Sequence, residues 1–173
     1  MLKLDDYIKI FPNVLDTQFC ENIINNKKYK FTKASIIPGS GDPKSRNCYI
    51  TKIVGEDDDI IYQAVTKILN KYFEILTQLE PCSAGLDVRG DTGYDFLKYE
   101  TGGFYKQHLD DGTDTTRRIS ITLLLNEEYE GGEFQFFGDY KVTGKTGSAI
   151  IFPSNFCYPH EILPIKSGTR YSI

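Results

Sequence analysis

The sequence lacks several features that define other classes of protein. It contains no tryptophan, one methionine and only two histidines among 173 residues, and its four cysteines include no C-x-x-C pair. Scattered cysteines favour free thiols in a reducing compartment over a disulfide framework. No apolar run approaches the roughly 20 residues of a membrane-spanning helix, and the first ten residues interleave charged and apolar side chains, unlike a signal peptide. We therefore expect a soluble, cytoplasmic protein without membrane partners.

An excess of positive charge is also missing. The chain has 20 Lys and Arg against 24 Asp and Glu, a net charge of -4 and an isoelectric point near 5.2. This balance argues against a basic face that neutralises many phosphates, and so against nucleic acid as the main partner. With 173 residues and 40% hydrophobic content, the chain is long enough for one domain over residues 1–173. Composition leaves the oligomeric state open.

Two helices are expected in residues 1–90, which we interpret as a helix-rich support region. Asp16 or Thr17 can cap a short helix that runs to about Lys28. The acidic residues 57–59 precede apolar side chains at three-and-four spacing as far as Leu79. This pattern predicts a long amphipathic helix with its acids at the positive end of the helix dipole. We expect that helix to brace a sheet.

From Tyr94 onward, short β-rich runs alternate with glycine-containing turns. The clearest predicted strands are residues 94–100, 118–126, 133–137, 147–152 and 169–173. In the second of these, Ser120 and Thr122 face one side, while Ile121, Leu123 and Leu125 face the other. Helices followed by strands indicate an α+β, mainly β domain, and a jelly-roll-like barrel fits this order best.

Both histidines fall in one pattern with a carboxylate. His108-Leu109-Asp110 is followed about fifty residues later by His160. Two imidazoles and one carboxylate on one face of an octahedron leave three positions open, as in non-haem Fe(II) enzymes. On a strand, His108 and Asp110 would point to the same side while Leu109 turns into the sheet, and His160 would come from a neighbouring strand. Ordinary core histidines are one alternative; Cys157 as a thiolate ligand, which would favour zinc, is another.

Residues 94–173 also contain a longer ordered series. It runs Tyr99-x-x-Gly102-x-x-Tyr105-x-x-His108-x-Asp110 and continues through Arg117, Ser120, Gly131-Gly132-Glu133, His160 and Gly168-Thr169-Arg170-Tyr171-Ser172. This series resembles the prolyl 4-hydroxylase branch of the 2-oxoglutarate and Fe(II)-dependent dioxygenases. The resemblance implies a double-stranded β-helix, a cupin-like jelly-roll barrel that N-terminal helices brace, in residues 94–173. Leu123 and Leu124 depart from the family, which often has a tyrosine near the co-substrate there.

The resemblance also assigns roles to individual residues. It implies that the Fe(II) ligands are His108, Asp110 and His160. It implies that 2-oxoglutarate is contacted by Arg170, Tyr99, Ser120 and Ser172. Tyr105 would lie beside the substrate. Arg170 would bind the far carboxylate of the co-substrate, since a guanidinium can grip a carboxylate with two hydrogen bonds. An ordinary structural role in a strand is the alternative for Arg170, as it is for the tyrosines and serines.

The implied reaction uses Fe(II), O₂ and 2-oxoglutarate, with ascorbate as reductant. It would hydroxylate a C–H bond and release succinate and CO₂, and a peptidyl proline of a peptide or protein is the favoured substrate. A small-molecule or nucleobase hydroxylase and a non-catalytic domain that senses metal or 2-oxoglutarate are the alternatives. The polar, glycine-containing residues 38–47 and the segment 111–117 are expected to close over an extended peptide and exclude water.

Overall fold

The structure, a computed structural model, describes residues 2–34, 44–86, 88, 90–112 and 117–173. These residues form two α-helices, two 3₁₀ turns and fourteen short β-strands. The helices are α1 (Thr17–Ile24) and α2 (Glu56–Leu79), and the 3₁₀ turns are Leu4–Tyr7 and Pro81–Gly85. The strands are β1 (Lys9–Phe11), β2 (Thr32–Lys33), β3 (Arg46–Asn47), β4 (Tyr49–Lys52), β5 (Asp95–Tyr99), β6 (Phe104–His108), β7 (Ile119–Leu123), β8 (Tyr129–Gly131), β9 (Phe134–Phe136), β10 (Tyr140–Val142), β11 (Ala149–Pro153), β12 (His160–Ile162), β13 (Ile165–Gly168) and β14 (Arg170–Ser172). The expectation of a mainly β protein is confirmed.

Every strand pairing in the described residues is antiparallel. One sheet has the order β1-β11-β7, a second the order β10-β9-β12-β6-β3, and a third the order β14-β5-β4-β2, while β13 pairs with β8. A bridge between Leu124 and Ser172 connects the end of β7 to β14. Strands that are distant in sequence therefore lie side by side, and the candidate site draws on all three larger sheets.

The short helix α1 begins where the sequence predicts. The Asp16 side chain accepts hydrogen bonds from the backbone N–H groups of Gln18 and Phe19 at 2.8 and 3.3 Å, as an N-cap does. The helix ends at Ile24, four residues before the predicted end. There, the side-chain amide of Asn25 donates to the carbonyl of Glu21 at 2.9 Å. Asparagine side chains that bond to nearby backbone favour such a helix end over continuation.

The long helix α2 has its acidic first turn at residues 56–59 and one buried face. Ile61, Ile68, Tyr72 and Leu76 on that face share a core cluster with residues of the β1-β11-β7 sheet, including Leu123 and Ile151. Burying each of the three aliphatic side chains contributes about 1.5–3 kcal/mol. Within the described part of the chain, neither helix is apolar over the length that a membrane crossing requires.

The prediction of a helical first half was wrong in one respect, because β1 to β4 all lie before residue 53 and join the sheets. These strands have only two to four residues, too few to display an alternating pattern. The strand predicted at residues 118–126 is shorter and spans Ile119–Leu123. Beyond it, Leu124 N–H donates to the carbonyl of Ser148 and Leu125 N–H to that of Tyr171. Of the predicted covering loops, residues 38–43 and 113–116 lie outside the described residues.

Candidate metal and co-substrate site

Two adjacent antiparallel strands bring the two histidines together. In the pairing of β6 with β12, His108 lies directly opposite His160, and their ring centroids are 4.3 Å apart. Strand β6 ends at His108, however, and Asp110 follows in a bend. Leu109 is 42% exposed, so the expectation that it turns into the sheet was wrong. Once the strand has ended, the bend rather than the two-residue strand period directs Asp110 toward the histidines.

These three side chains form a cluster that could hold one metal ion. Their potential ligand atoms all lie within 4.8 Å of one another. Nε2 of His108 is 3.7 Å from Asp110 Oδ1, and Nε2 of His160 is 3.6 Å from Asp110 Oδ2. Side-chain exposure is 4% for His160 but 18% for His108 and 22% for Asp110. The cluster is therefore closed behind His160 and more open on the side of the other two residues.

Both imidazoles are prepared for metal binding through Nε2. Nδ1 of His108 lies 2.9 Å from the carbonyl oxygen of Lys106, and Nδ1 of His160 lies 3.0 Å from that of Tyr158. Because a carbonyl can only accept, Nδ1 carries the proton in each ring and the lone pair remains on Nε2. Burial, together with the neighbouring His160, lowers the pKa of His108 to about 4. A neutral imidazole is the form that binds a metal, so the donor set fits a divalent ion such as Fe(II).

An aromatic wall holds the ring of His160. The centroids of Phe134, Phe136 and Phe152 lie 5.2, 5.7 and 4.9 Å from that of His160. All three phenylalanines are buried. Their packing limits rotation of the imidazole and keeps water away from that side of the cluster.

Ser120 contacts the third member of the cluster. Its hydroxyl donates to Asp110 Oδ2 at 2.6 Å and lies 2.7 Å from the hydroxyl of Ser154. Ser120 is on β7 and Ser154 directly follows β11, so two paired strands supply the hydroxyls. The sequence predicts Ser120 as a site residue but provides no signal for Ser154, because serines are common in loops.

The predicted co-substrate anchor lies on β14, where Arg170 is directly opposite Tyr99 of β5. Arg170 is 1% exposed, and its guanidinium carbon is 5.4 Å from the centre of the Tyr99 ring. Nη1 donates to the hydroxyl of Ser172 at 2.9 Å, whereas the buried Nε has no hydrogen-bond partner. No ion pair joins Arg170 to a carboxylate within the described residues. A buried, unpaired cation of this kind is costly unless an anion binds it, so the residues fit an anionic co-substrate.

A row of contacts connects this anchor to the metal cluster. Cys48 packs in the same core cluster as Tyr99 and accepts a hydrogen bond from Arg46 Nε at 3.0 Å. The Arg46 guanidinium lies 4.5 Å from the centre of the Tyr105 ring, which in turn stacks on His108 at 3.5 Å. Arg46 pairs with Tyr105 across β3 and β6. Sequence reasoning placed Arg46 in a covering loop and missed Cys48 altogether.

Comparison with known families identifies the region that carries this geometry. Residues 94–173 match the family model described as the 2OG-Fe(II) oxygenase superfamily. The matched region, 80 of the 173 residues, contains His108, Asp110, His160 and Arg170. The sequence-based recognition of the superfamily is thereby confirmed, and the matched range is the one that the ordered series of residues occupies.

The chain also resembles two PKHD-type hydroxylases. A PKHD-type hydroxylase from Delftia acidovorans is 37% identical in an alignment 90 residues long, and the match covers 44% of this chain and 39% of that protein. Another, from Aliarcobacter butzleri, is 35% identical in an alignment 88 residues long, and the match covers 43% of this chain and 38% of that protein. The chain thus matches less than half the length of these relatives.

Solved structures of prolyl hydroxylases share the fold. The viral collagen prolyl hydroxylase of Paramecium bursaria Chlorella virus-1 in its 2OG complex aligns with a TM-score of 0.69 and 23% identity, over 96% of this chain and 92% of that one. A Trichoplax adhaerens prolyl hydroxylase, solved with a hypoxia inducible factor peptide fragment, aligns with a TM-score of 0.71 and 17% identity, over 96% and 81%. At these identities the similarity concerns the fold.

Proposed function

We propose that this protein is an Fe(II)- and 2-oxoglutarate-dependent dioxygenase that hydroxylates a C–H bond and releases succinate and CO₂. One observation carries the proposal: a two-histidine, one-carboxylate cluster is connected by packing contacts through Tyr105, Arg46, Cys48 and Tyr99 to a buried arginine that has no anionic partner among the described residues. A metal site alone would suit many activities. A metal site beside a buried arginine that can bind a carboxylate suits chemistry in which a dianionic co-substrate binds both.

Each residue then has a defined task. His108, Asp110 and His160 would hold Fe(II), which when bound supplies the activation of O₂. Arg170 would bind the far carboxylate of 2-oxoglutarate, with Ser172 orienting the guanidinium through the bond to Nη1. Tyr99 is buried opposite Arg170, where its hydroxyl could assist the co-substrate. Tyr105 would keep His108 in place by stacking on it, at the more open side of the cluster where a substrate can approach.

We further propose that the sheets close into a double-stranded β-helix and that a peptidyl proline is the substrate, with ascorbate maintaining reduced iron. Support comes from the aligned structures, of which one is a viral collagen prolyl hydroxylase and another a prolyl hydroxylase with a bound peptide. The partial exposure of His108 and Asp110 leaves room for an extended chain beside the metal cluster. A peptide enzyme needs such an open side, because its substrate is larger than an enclosed cavity.

The decisive test measures succinate from 2-oxoglutarate with Fe(II), O₂ and ascorbate, with and without proline-containing peptides. Matched peptides with alanine in place of proline, free proline and free nucleosides are the comparison substrates. Peptide-dependent succinate with a mass gain of one oxygen on the peptide supports the proposal, and His160→Ala provides the inactive control. Oxygen addition to a free amino acid or nucleoside instead would reassign the substrate. Absence of succinate with every substrate, despite metal and 2-oxoglutarate binding, would indicate the sensor alternative.

A further inference from the structure

The hydroxyl pair next to Asp110 has a defined direction of hydrogen bonding. An ionised Asp110 can only accept, so the proton of Ser120 goes to Asp110 Oδ2, and the 2.6 Å distance is typical of a bond to a carboxylate. A hydroxyl has one proton. Ser154, 2.7 Å away, must therefore donate its own proton to Ser120. The order of donation is Ser154 to Ser120 to Asp110.

This direction bears on what Ser120 can bind. Its one donor is already used by Asp110, and a carboxylate of 2-oxoglutarate also needs a donor. Ser120 could contact the co-substrate only by releasing Asp110. Ser120 and Ser154 are, moreover, buried or nearly so, with exposures of 9% and 1%.

The backbone of Ser154 also forms hydrogen bonds to the chain segments next to Ser120 and Asp110. Its N–H donates to the carbonyl of Arg118 at 3.1 Å, and its carbonyl accepts from the N–H of Asp111 at 3.2 Å. Ser154 is thus bonded to the residue after the metal-cluster carboxylate and to the segment that leads into β7. Side chain and backbone together tie Asp110 to the β11-β7 pair.

We propose that Ser120 and Ser154 are positioning residues that orient the Asp110 carboxylate for the metal. The hydrogen bond from Ser120 occupies one carboxylate oxygen of Asp110, so Asp110 binds the metal through its other oxygen. This assigns Ser120 to metal positioning instead of co-substrate binding. The assignment rests on the proposed function only in requiring that the cluster binds a metal. Holding a carboxylate to one metal bond preserves an open coordination position, which the three-residue set needs for its co-substrate and O₂.

The test measures metal affinity directly, by anaerobic titration of the full chain with Co(II) against a competing chelator dye. Ser120→Ala removes the donor to Asp110 and should weaken Co(II) binding by about 10- to 100-fold, the usual effect of losing a hydrogen-bond partner of a metal ligand. Ser120→Thr keeps the hydroxyl and should remain close to the wild type. Ser148→Ala is the matched control: Ser148 is another 1% exposed serine, adjacent to β11, and should leave Co(II) binding unchanged.

Two further measurements separate positioning from the alternatives. Ser154→Ala should weaken Co(II) binding less than Ser120→Ala, and the double variant should resemble Ser120→Ala, because Ser154 acts through Ser120. With Co(II) at saturation, 2-oxoglutarate affinity should be the same in Ser120→Ala and the wild type. Unchanged Co(II) affinity combined with weaker 2-oxoglutarate binding would overturn the proposal and make Ser120 a co-substrate contact.

The outcomes also distinguish this proposal from the proposed function. If the wild type binds no Co(II), the metal centre itself is refuted. If the wild type binds Co(II) and Ser120→Ala binds it equally well, only the positioning role falls. If Ser120→Ala fails to fold, Ser154→Ala provides the test. A Co(II) affinity equal to that of Ser148→Ala refutes the positioning role of the two serines, and weaker Co(II) binding supports it.

Discussion

Replacement of Arg170 by methionine should separate co-substrate binding from metal binding. Arg170 is 1% exposed, and its Nη1 donates to the hydroxyl of Ser172, while its buried Nε has no partner among the described residues. Methionine has a similar length but no charge. Losing one partner of a buried charge pair costs about 2–5 kcal/mol, so the dissociation constant of 2-oxoglutarate should rise between about 30-fold and a few thousand-fold.

Thermal stability provides the readout. At a 2-oxoglutarate concentration 100 times its dissociation constant, the Co(II)-loaded wild type should gain about 2.7 kcal/mol of unfolding free energy. At the same concentration, a variant with 30-fold weaker binding should gain only about 0.9 kcal/mol. Without 2-oxoglutarate, Arg170→Met should be as stable as the wild type or more so, because an unpaired buried cation has been replaced by an apolar side chain.

Two other variants complete this experiment. Arg170→Lys retains the charge but loses the planar fork, so its 2-oxoglutarate affinity should fall between those of Arg170→Met and the wild type. Arg118→Met, at an exposed position, should behave like the wild type. Equal dependence on 2-oxoglutarate in Arg170→Met and the wild type, with Co(II) affinity also equal, would refute the assignment of Arg170 as anchor.

Three more predictions concern the metal cluster and the thiols. His108→Ala should abolish Co(II) binding and succinate formation while the β-type circular dichroism spectrum persists, and full turnover in this variant would disprove the ligand set. Tyr105→Phe should retain Co(II) affinity because the ring stack on His108 remains, whereas Tyr105→Leu should weaken it; equal titration curves would mean that the stack has no role. Cys82 is exposed and should react with a disulfide reagent in the native protein. Burial raises the pKa of Cys20 to about 11, so Cys20 should react only after unfolding. Counting the reacted thiols over time, in the native and in the unfolded protein, would reveal this difference.

Cysteine usage and helix positions could be read from the sequence because they depend on local or compositional signals. All four cysteines are free thiols, as expected from their spacing. Helix α2 begins one residue before the acidic residues that mark its predicted start, and three-and-four spacing from Ile60 to Leu79 is a strong helix signal. The strands β1 to β4 escaped prediction because their places depend on partners such as β11 and β6, which are distant in sequence.

The sequence by itself determined which side chains could carry the chemistry. With only two histidines in the chain, the choice of metal ligands was small, and the order of His108, Asp110, His160 and Arg170 matched one family. Tertiary structure alone decided their relations: His160 faces His108, Arg170 faces Tyr99, and the Ser120 hydroxyl is committed to Asp110. Strand register and hydrogen-bond direction arise from pairing between segments that are distant in sequence, and a one-residue shift in pairing would turn these side chains to the opposite face.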